Sequence, residues 1–499
     1  MRKLLYVVVA LLMLPVLGIG VLIAMGTIDT SSVRMMLNVM GGVGGPEAND
    51  EIVQQRYLLP PGFKLELYAN GIPRARFLRF TSTGDLLVSR PHAGDVLLLR
   101  RDANGDGKAD AMETLIADLK RPLGLDFAGE WLYIAENDQV GRVKFDAEKG
   151  QLAGEYTPVI QGLTGNGNHW SKTIRVGADQ KLYLAQGSTC NICEEEDQRR
   201  ATMMRFDLDG GNGEIMATGL RNSVGFDWAP WNGLMYATDN GRDLLGDDYP
   251  PCELNQISDG NFYGWPYFNG NNEPDPDMGP DPRASERSPT APVHGFRAHN
   301  APLGMTFVNP QGLPQEFQKS ALVALHGSWN RSEPDGYKVV SLHWTDAGIE
   351  ERDFLAGFEQ DGDISGRPVD VAQSPDGAIY ISDDYAGAIY RVTYTGDEGT
   401  VIAMDNAVAE SSLEADESWL DTADLAALTD KGQQLYSDNG CAECHEGGES
   451  PVSLADLNQR LDHAAVIDAL KAPQAPMPIY PLSESQYQAL AVYLLREED

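Results

Sequence analysis

Positive charge is scarce in this 499-residue chain. Only 38 lysines and arginines stand against 74 aspartates and glutamates, a formal charge of −36. Binding a polyanion needs a basic face, so the composition argues against a nucleic-acid partner. The surplus acid reads first as solubility, including in a salty habitat, and stays compatible with a small neutral or cationic partner.

Cysteine is also rare, at five. Cys190 and Cys193 form CNIC, which lacks the following histidine of a haem motif. The pair reads as a short-range disulfide of an oxidising compartment or as a redox-active dithiol. Cys252 is left over and reads as a buried thiol. The last two lie in CAECH, residues 441–445, and Cys-x-x-Cys-His marks covalent attachment of a c-type haem. Cys441 and Cys444 would form the thioethers and His445 the proximal iron ligand. After His445 the chain has one methionine, Met477, and one histidine, His463. Met477 stands in APMPIY, where prolines fix an extended loop able to present the sulfur to iron. Met/His ligation raises the potential and suits an electron acceptor. His463, in LDHAAVIDAL, reads as facing solvent or packing. Residues 427–499 resemble a small all-α class I cytochrome c domain. Thr429 can cap a first helix carrying Gly432 and Tyr436 on one face, and Ser483 with Gln486 can cap the last. The apolar face of that last helix (Tyr487, Leu490, Ala491, Leu494) would pack on the first.

One long apolar run, Leu4 to about Met25, follows Arg2 and Lys3. Its length can span a bilayer, and the leading charges place the N-terminus in the cytoplasm. No clean A-x-A site follows, which favours an uncleaved N-terminal membrane-anchor helix over residues 1–27 rather than a cleaved signal. The bulk would then lie on the periplasmic side of the inner membrane, or free in the periplasm if the run is cleaved. The haem motif agrees, since c-type haem is attached outside the bacterial cytoplasm. Residues 28–55 read as a linker. Residues 396–426, acidic and without a clear period, read as a second one.

Between the linkers the chain repeats itself. Six copies pair an apolar strand, a short turn and a second β-rich strand, starting at Ala75, Arg121, His169, Arg221, Asn300 and Gly366. The alternation has period two, the turns are rich in Gly, Pro and Asp, and the spacing is that of four-stranded units. The expected fold over 56–395 is an all-β six-bladed β-propeller. A Pro/Gly/Asp-rich stretch, 241–299, reads as an insertion over one face. At the start of the copies stand Arg76, Arg121, His169, Arg221 with Asn222, His299 with Asn300, and Arg367. Innermost propeller strands begin round one mouth of the channel, so this ring suggests a cationic pocket for an anionic small molecule.

The motifs GNGNHWSKTIRVG, TGLRNSVGFDW, GDDYPPCELNQISDGNFYGWP, HGSWNRSEPDGYKVV and GRPVDVAQSPDGAIYISDD resemble the soluble quinoprotein sugar dehydrogenases. That group includes the aldose sugar dehydrogenases and the sorbosone dehydrogenase-like proteins. The resemblance implies pyrroloquinoline quinone (PQQ), a tricarboxylate, together with Ca2+. By resemblance His169 is the general base, and Arg221, Asn222, Lys338 and Arg367 bind PQQ. Backbone carbonyls near Gly246, Asp247 and Asp248 would hold calcium. Some relatives carry a second arginine two residues after the one matched by Arg367, where this chain has Val369. His299 and His326 are left between substrate contact and structural role.

A further acidic loop, DANGDGKAD, places Asp102, Asn104, Asp106 and Asp110 at calcium-loop spacing, but it lacks the twelfth-position glutamate of an EF-hand. It reads equally as a hairpin loop. The expected activity is oxidation of an aldose, or of a sugar-derived aldehyde or alcohol, with electrons passing to haem c and on to a downstream carrier or respiratory chain. The alternatives are a calcium-dependent propeller lactonase or hydrolase, and a haem-bearing binding or sensor propeller without PQQ.

Overall fold

The structure, a computed structural model, describes residues 45–396 except 346. Beyond them it describes residues 429, 431–437, 441, 454, 457, 463–471 and 484–495. The apolar run Leu4 to Met25, read above as a membrane anchor, lies outside the described residues. Among those described, no helix is long and apolar enough to cross a membrane. Two compact units divide between Asp405 and Asn406.

The first unit is the six-bladed propeller. Blades 1 to 5 begin on the innermost strands Leu78–Phe80, Leu125–Ala128, Lys172–Val176, Ser223–Trp228 and Pro302–Phe307. Blade 6 begins on Pro368–Gln373 and is completed by the N-terminal strand Phe63–Ala69, paired antiparallel with Ala388–Tyr394. Ahead of that strand a short helix α1 (Asp50–Arg56) starts on Asn49, whose side chain accepts from the Ile52 amide.

Burial follows the radial position of each strand. The second strands Met235–Asp239 and Ile379–Asp383 are buried throughout, because neighbouring blades cover both faces. The outer strand Ala111–Ile116 is largely exposed. Six apolar clusters fill the wedges, one between each neighbouring pair of blades.

The blades are also tied near the axis. Asp126 of blade 2 accepts from the Val176 amide of blade 3 at 2.7 Å. Asp227 of blade 4 accepts from Phe307 of blade 5 at 3.1 Å, and Asp370 of blade 6 from Leu78 of blade 1 at 2.8 Å. Close approach is needed here: a Cβ on Gly225 would stand 2.3 Å from the Leu303 carbonyl of the next blade.

The stretch 241–299 is not simply an excursion. It contains the third and fourth strands of blade 4, Cys252–Ile257 and His294–Phe296, with a small hairpin, Phe268–Asn269 and Glu273–Pro274, between them. Its Pro and Gly content hid those strands.

In the second unit, α2 (His463–Lys471) and α3 (Glu484–Leu495) share a core with Tyr436, Cys441 and Leu457. Gly432 lies so close to α3 that a Cβ there would meet the Ala489 carbonyl at 2.1 Å. Tyr436 and Tyr493 pack with tilted rings 5.4 Å apart, so the expected packing of the last helix on residues 431–437 is present.

Asp227 accepts three hydrogen bonds that no apolar side chain can replace: Phe307 N, Trp228 N and Thr306 Oγ1. Asp227→Ala is expected to cost about 2–3 kcal/mol of propeller stability, read by urea unfolding. Unchanged stability would show that the inter-blade tie carries no weight.

Candidate active site at the channel mouth

The innermost strands start round one mouth, and the residues marked in the sequence sit just ahead of them. Below this ring, Phe77, Leu123, Val224, Leu303 and Val369 form one buried apolar cluster. They come from the innermost strands of five different blades and meet at the axis. Val369, in place of a second arginine, is therefore part of an apolar floor closing the mouth.

His169 leads into blade 3. Ser188 Oγ donates to the Cys190 carbonyl at 2.7 Å and lies 2.8 Å from His169 Nδ1. With its own proton committed, the hydroxyl accepts from Nδ1–H, which leaves Nε2 as the bare, basic nitrogen. Burial, with Arg221 and Arg200 nearby, pulls the imidazole down to about 3, so it is neutral near pH 7. Two buried cations hold its segment by carbonyls. Arg200 donates to Thr164, Asn166 and His169, and Lys172 to Thr164 and Trp170.

Cys190 and Cys193 are disulfide-bonded. The bridge closes a tight loop whose Asn191 accepts from Arg221 through both its carbonyl and its side-chain oxygen, at 3.1 and 2.8 Å. Arg221 also pairs with Asp243 at 2.8 Å and donates to the Asn240 carbonyl. It is a buried brace more than an open anion clamp. Asn222 lies near His169: a Cβ on Gly187 would lie 2.6 Å from Asn222 Oδ1 and 2.7 Å from His169 Cβ. Cys252 is buried as expected, and desolvation pushes its thiol up to about 11.

Across the mouth Asp384 is a hub. It pairs with Arg76 at 2.7 Å and accepts from His326 Nε2 at 3.0 Å. Burial draws His326 down to about 4, with Arg367 next in effect, so it is neutral and its Nε2–H donates. Burial alone would raise Asp384, but His326 and Arg76 hold its carboxyl well below the usual range. Arg367 donates to the carbonyls of His326 and Gly327 at 3.0 Å each. His92 is lowered first by burial, then by Arg74, Arg76 and Arg121, so three guanidiniums surround it with Asp384 as the opposing charge. Arg121 lies over the Trp170 ring at 4.9 Å and makes no hydrogen bond or ion pair among the described residues. This cluster fits a polycarboxylate such as the tricarboxylate implied above.

Other expected ligands have protein partners of their own. Lys338 pairs with Asp353 at 2.6 Å on the third strand of blade 5, two strands out from the channel. Sequence likeness in GYKVV could not reveal that radial position. The Gly246 carbonyl accepts from His299 Nε2 at 2.7 Å, which gives His299 a structural role. The Asp247 carbonyl accepts from Arg331, and Asp248 pairs with the same guanidinium at 3.3 Å. Protein donors already meet these oxygens, Arg331 at Asp247 and Asp248 and His299 at Gly246, so the set does not fit calcium. In the DANGDGKAD loop, Asp102 accepts from the amides of Gly105, Asp106 and Gly107. Asn104, Asp106 and Asp110 accept from the loop's own amides too, and it is a self-bonded hairpin loop. Cys441 is buried in the C-terminal core; Cys444, His445 and Met477 lie outside the described residues.

Ser188, Asn191, His92 and Asp384 were missed by sequence reasoning. Asp384 follows the strand-end Asp383 in ISDD and had a signal in that doubled acid. The others had none, because their partners come from distant chain positions.

A profile of the family described as TrAA12-like matches residues 57–261 and 276–395. A second, described as cytochrome c oxidase, cbb3-type, subunit III, matches 427–494. An uncharacterized protein of Borreliella burgdorferi is 32% identical over 67% of this chain and 90% of its own length. A protein of Hypocrea jecorina named pyrroloquinoline quinone-dependent sugar dehydrogenase is 24% identical over 68% of this chain and 89% of its own. The holo PQQ domain of pyranose dehydrogenase from Coprinopsis cinerea shares the fold, with a TM-score of 0.58 at 21% identity over 70% of this chain and 98% of that one.

The buried, cation-flanked His169 is expected to titrate near pH 3 rather than 6.5. Its C2 hydrogen–deuterium exchange, read by mass spectrometry, should show no inflection between pH 5 and 8. An inflection near 6.5 would mean that the imidazole is solvated.

Proposed function

This chain belongs to the TrAA12-like family, a sugar-dehydrogenase-like propeller joined here to a cytochrome c domain, and we propose that it is a quinohaemoprotein dehydrogenase oxidising an aldose or a related sugar aldehyde or alcohol. The observation that carries the reading is the pairing of a neutral base, His169, with a cluster of guanidiniums round the same mouth. Bound PQQ supplies a two-electron acceptor for hydride, and haem c supplies one-electron chemistry in the C-terminal unit.

The chain's own residues do the rest. Arg76, Arg121 and Arg367 would hold the carboxylates of the quinone. His169 Nε2 takes the substrate hydroxyl proton, while Ser188 keeps the proton of the other nitrogen in place. Asn222, beside His169, is placed to orient the substrate or the quinone. The apolar floor keeps bulk water out of the mouth from below. No step is routed through calcium. Cys441 and Cys444 would carry the haem, with His445 and Met477 as its axial ligands. Export, and anchoring at the periplasmic side of the inner membrane by the N-terminal run, belong to the same proposal, as does a downstream electron carrier.

A lactonase needs carboxylates free to bind metal at the mouth. Asp384 and Asp243 are instead tied to Arg76 and Arg221, which favours the dehydrogenase reading.

The test is to reconstitute the full exported chain with PQQ and watch haem absorbance while adding aldoses. Haem reduction should require both PQQ and sugar. His169→Ala should lower kcat by about 10²–10⁴, and Ser188→Ala should lower it less, with KM little changed. PQQ binding without reduction by any sugar would overturn the substrate class. Failure to bind PQQ would overturn the whole reading.

A further inference from the structure

The channel has a second mouth. Beyond the apolar floor, the far ends of the innermost strands surround a cavity of about 450 Å³. That is within the ~300–1,000 Å³ range of small-molecule sites. The floor residues Phe77, Leu123, Val224, Leu303 and Val369 precede these strand ends in their blades, so the cavity is set apart from the mouth holding His169.

Its lining is chemically specific. Arg79 and Arg175 both face it. Arg79 is held at 2.5 Å by Asp126. The Arg175 side chain makes no hydrogen bond among the described residues, and no carboxylate oxygen lies within 4 Å of its guanidinium nitrogens. Burial would weaken its charge, but Asp227, Asp126 and Asp370 beyond contact distance more than compensate. Its donors therefore point into the cavity with nothing of the protein to receive them, and a guanidinium has no acceptor capacity of its own. Four aromatic rings, Phe80, Phe127, Phe145 and Phe307, supply flat apolar walls. Asn309 adds a side-chain NH2 at the rim, while the Gln373 amide is spent on the Asn309 backbone and the Gly377 carbonyl.

The charge balance narrows the ligand. Two arginines face three aspartates, Asp126, Asp227 and Asp370, within a chain of net charge −36. That balance rewards neither an anion nor a strong cation. Fixed planar donors, an amide and aromatic faces together suit a neutral polyol, whose hydroxyls accept and donate while its C–H faces lie on rings. We propose that the far mouth is a second, non-catalytic binding site for a neutral mono- or disaccharide.

Ser82 stands exposed in the turn at the rim and makes no hydrogen bond among the described residues, so Ser82→Trp can plug the mouth without touching the charges. Isothermal titration of the full chain, without PQQ, with D-glucose and with maltose reads the site. The expected result is one binding event lost in Ser82→Trp and weakened about tenfold or more in Arg175→Gln. Oxidation of sugar by PQQ-loaded Ser82→Trp should stay unchanged, since its catalytic mouth is intact. Gluconate should bind more weakly than glucose. Sugar binding untouched by Ser82→Trp, tighter binding of gluconate, or no binding at all would each overturn the proposal. Because binding is read without PQQ and oxidation with it, this proposal and the dehydrogenase reading fail separately.

Discussion

Three aspartate side chains near the axis carry the join between blades. Asp126, Asp227 and Asp370 sit on alternate blades, and each reaches a backbone amide of the next. A propeller closes only if its innermost strands keep a fixed spacing round the channel, and these carboxylates, buried at Asp126 and Asp370 and half-buried at Asp227, enforce it at three of the six joins. Apolar wedges supply bulk cohesion, but packing alone tolerates sliding. A hydrogen bond to a buried charge does not, because a lost partner leaves the charge desolvated.

That constraint divides the channel into levels. The floor lies above the ties, and His169 and the guanidinium cluster stand above the floor. Separation matters for an acidic protein. A cluster of guanidiniums at one mouth is held in place by single, half-buried acids: Asp384 on Arg76 and Asp243 on Arg221. The rest of the negative charge stays outside. A polycarboxylate thus meets local positive charge on a molecule that repels anions at long range.

Much of this was legible in order along the chain. The six starts at Ala75 to Gly366 reappear as six blades, because strand alternation is a local property that repeats in sequence. The paired cysteines of CNIC could be read as a bridge, since a short loop leaves them few alternatives. His169 could be singled out by its motif. What held it could not: Ser188 is 19 residues away, and the Arg76–Asp384 pair is separated by 308. Lys338 shows the converse limit, for a matching motif says nothing of how far its strand lies from the axis. The carbonyls of Gly246 and Asp247 were equally beyond sequence, since their bonding by His299 and Arg331 depends on a loop from the next blade.

The sequence by itself determined the number of blades, the presence of a haem-type motif and the residue types gathered at one mouth. These are carried by period, spacing and composition, and all three are local. Only the tertiary structure decided which arginines are spent as braces and which stay open, why Val369 replaces an arginine, and that the channel has a second lined mouth. Each of those depends on partners from different blades. Such partners meet only because the ring closes, and closure is a property of the whole chain rather than of any segment.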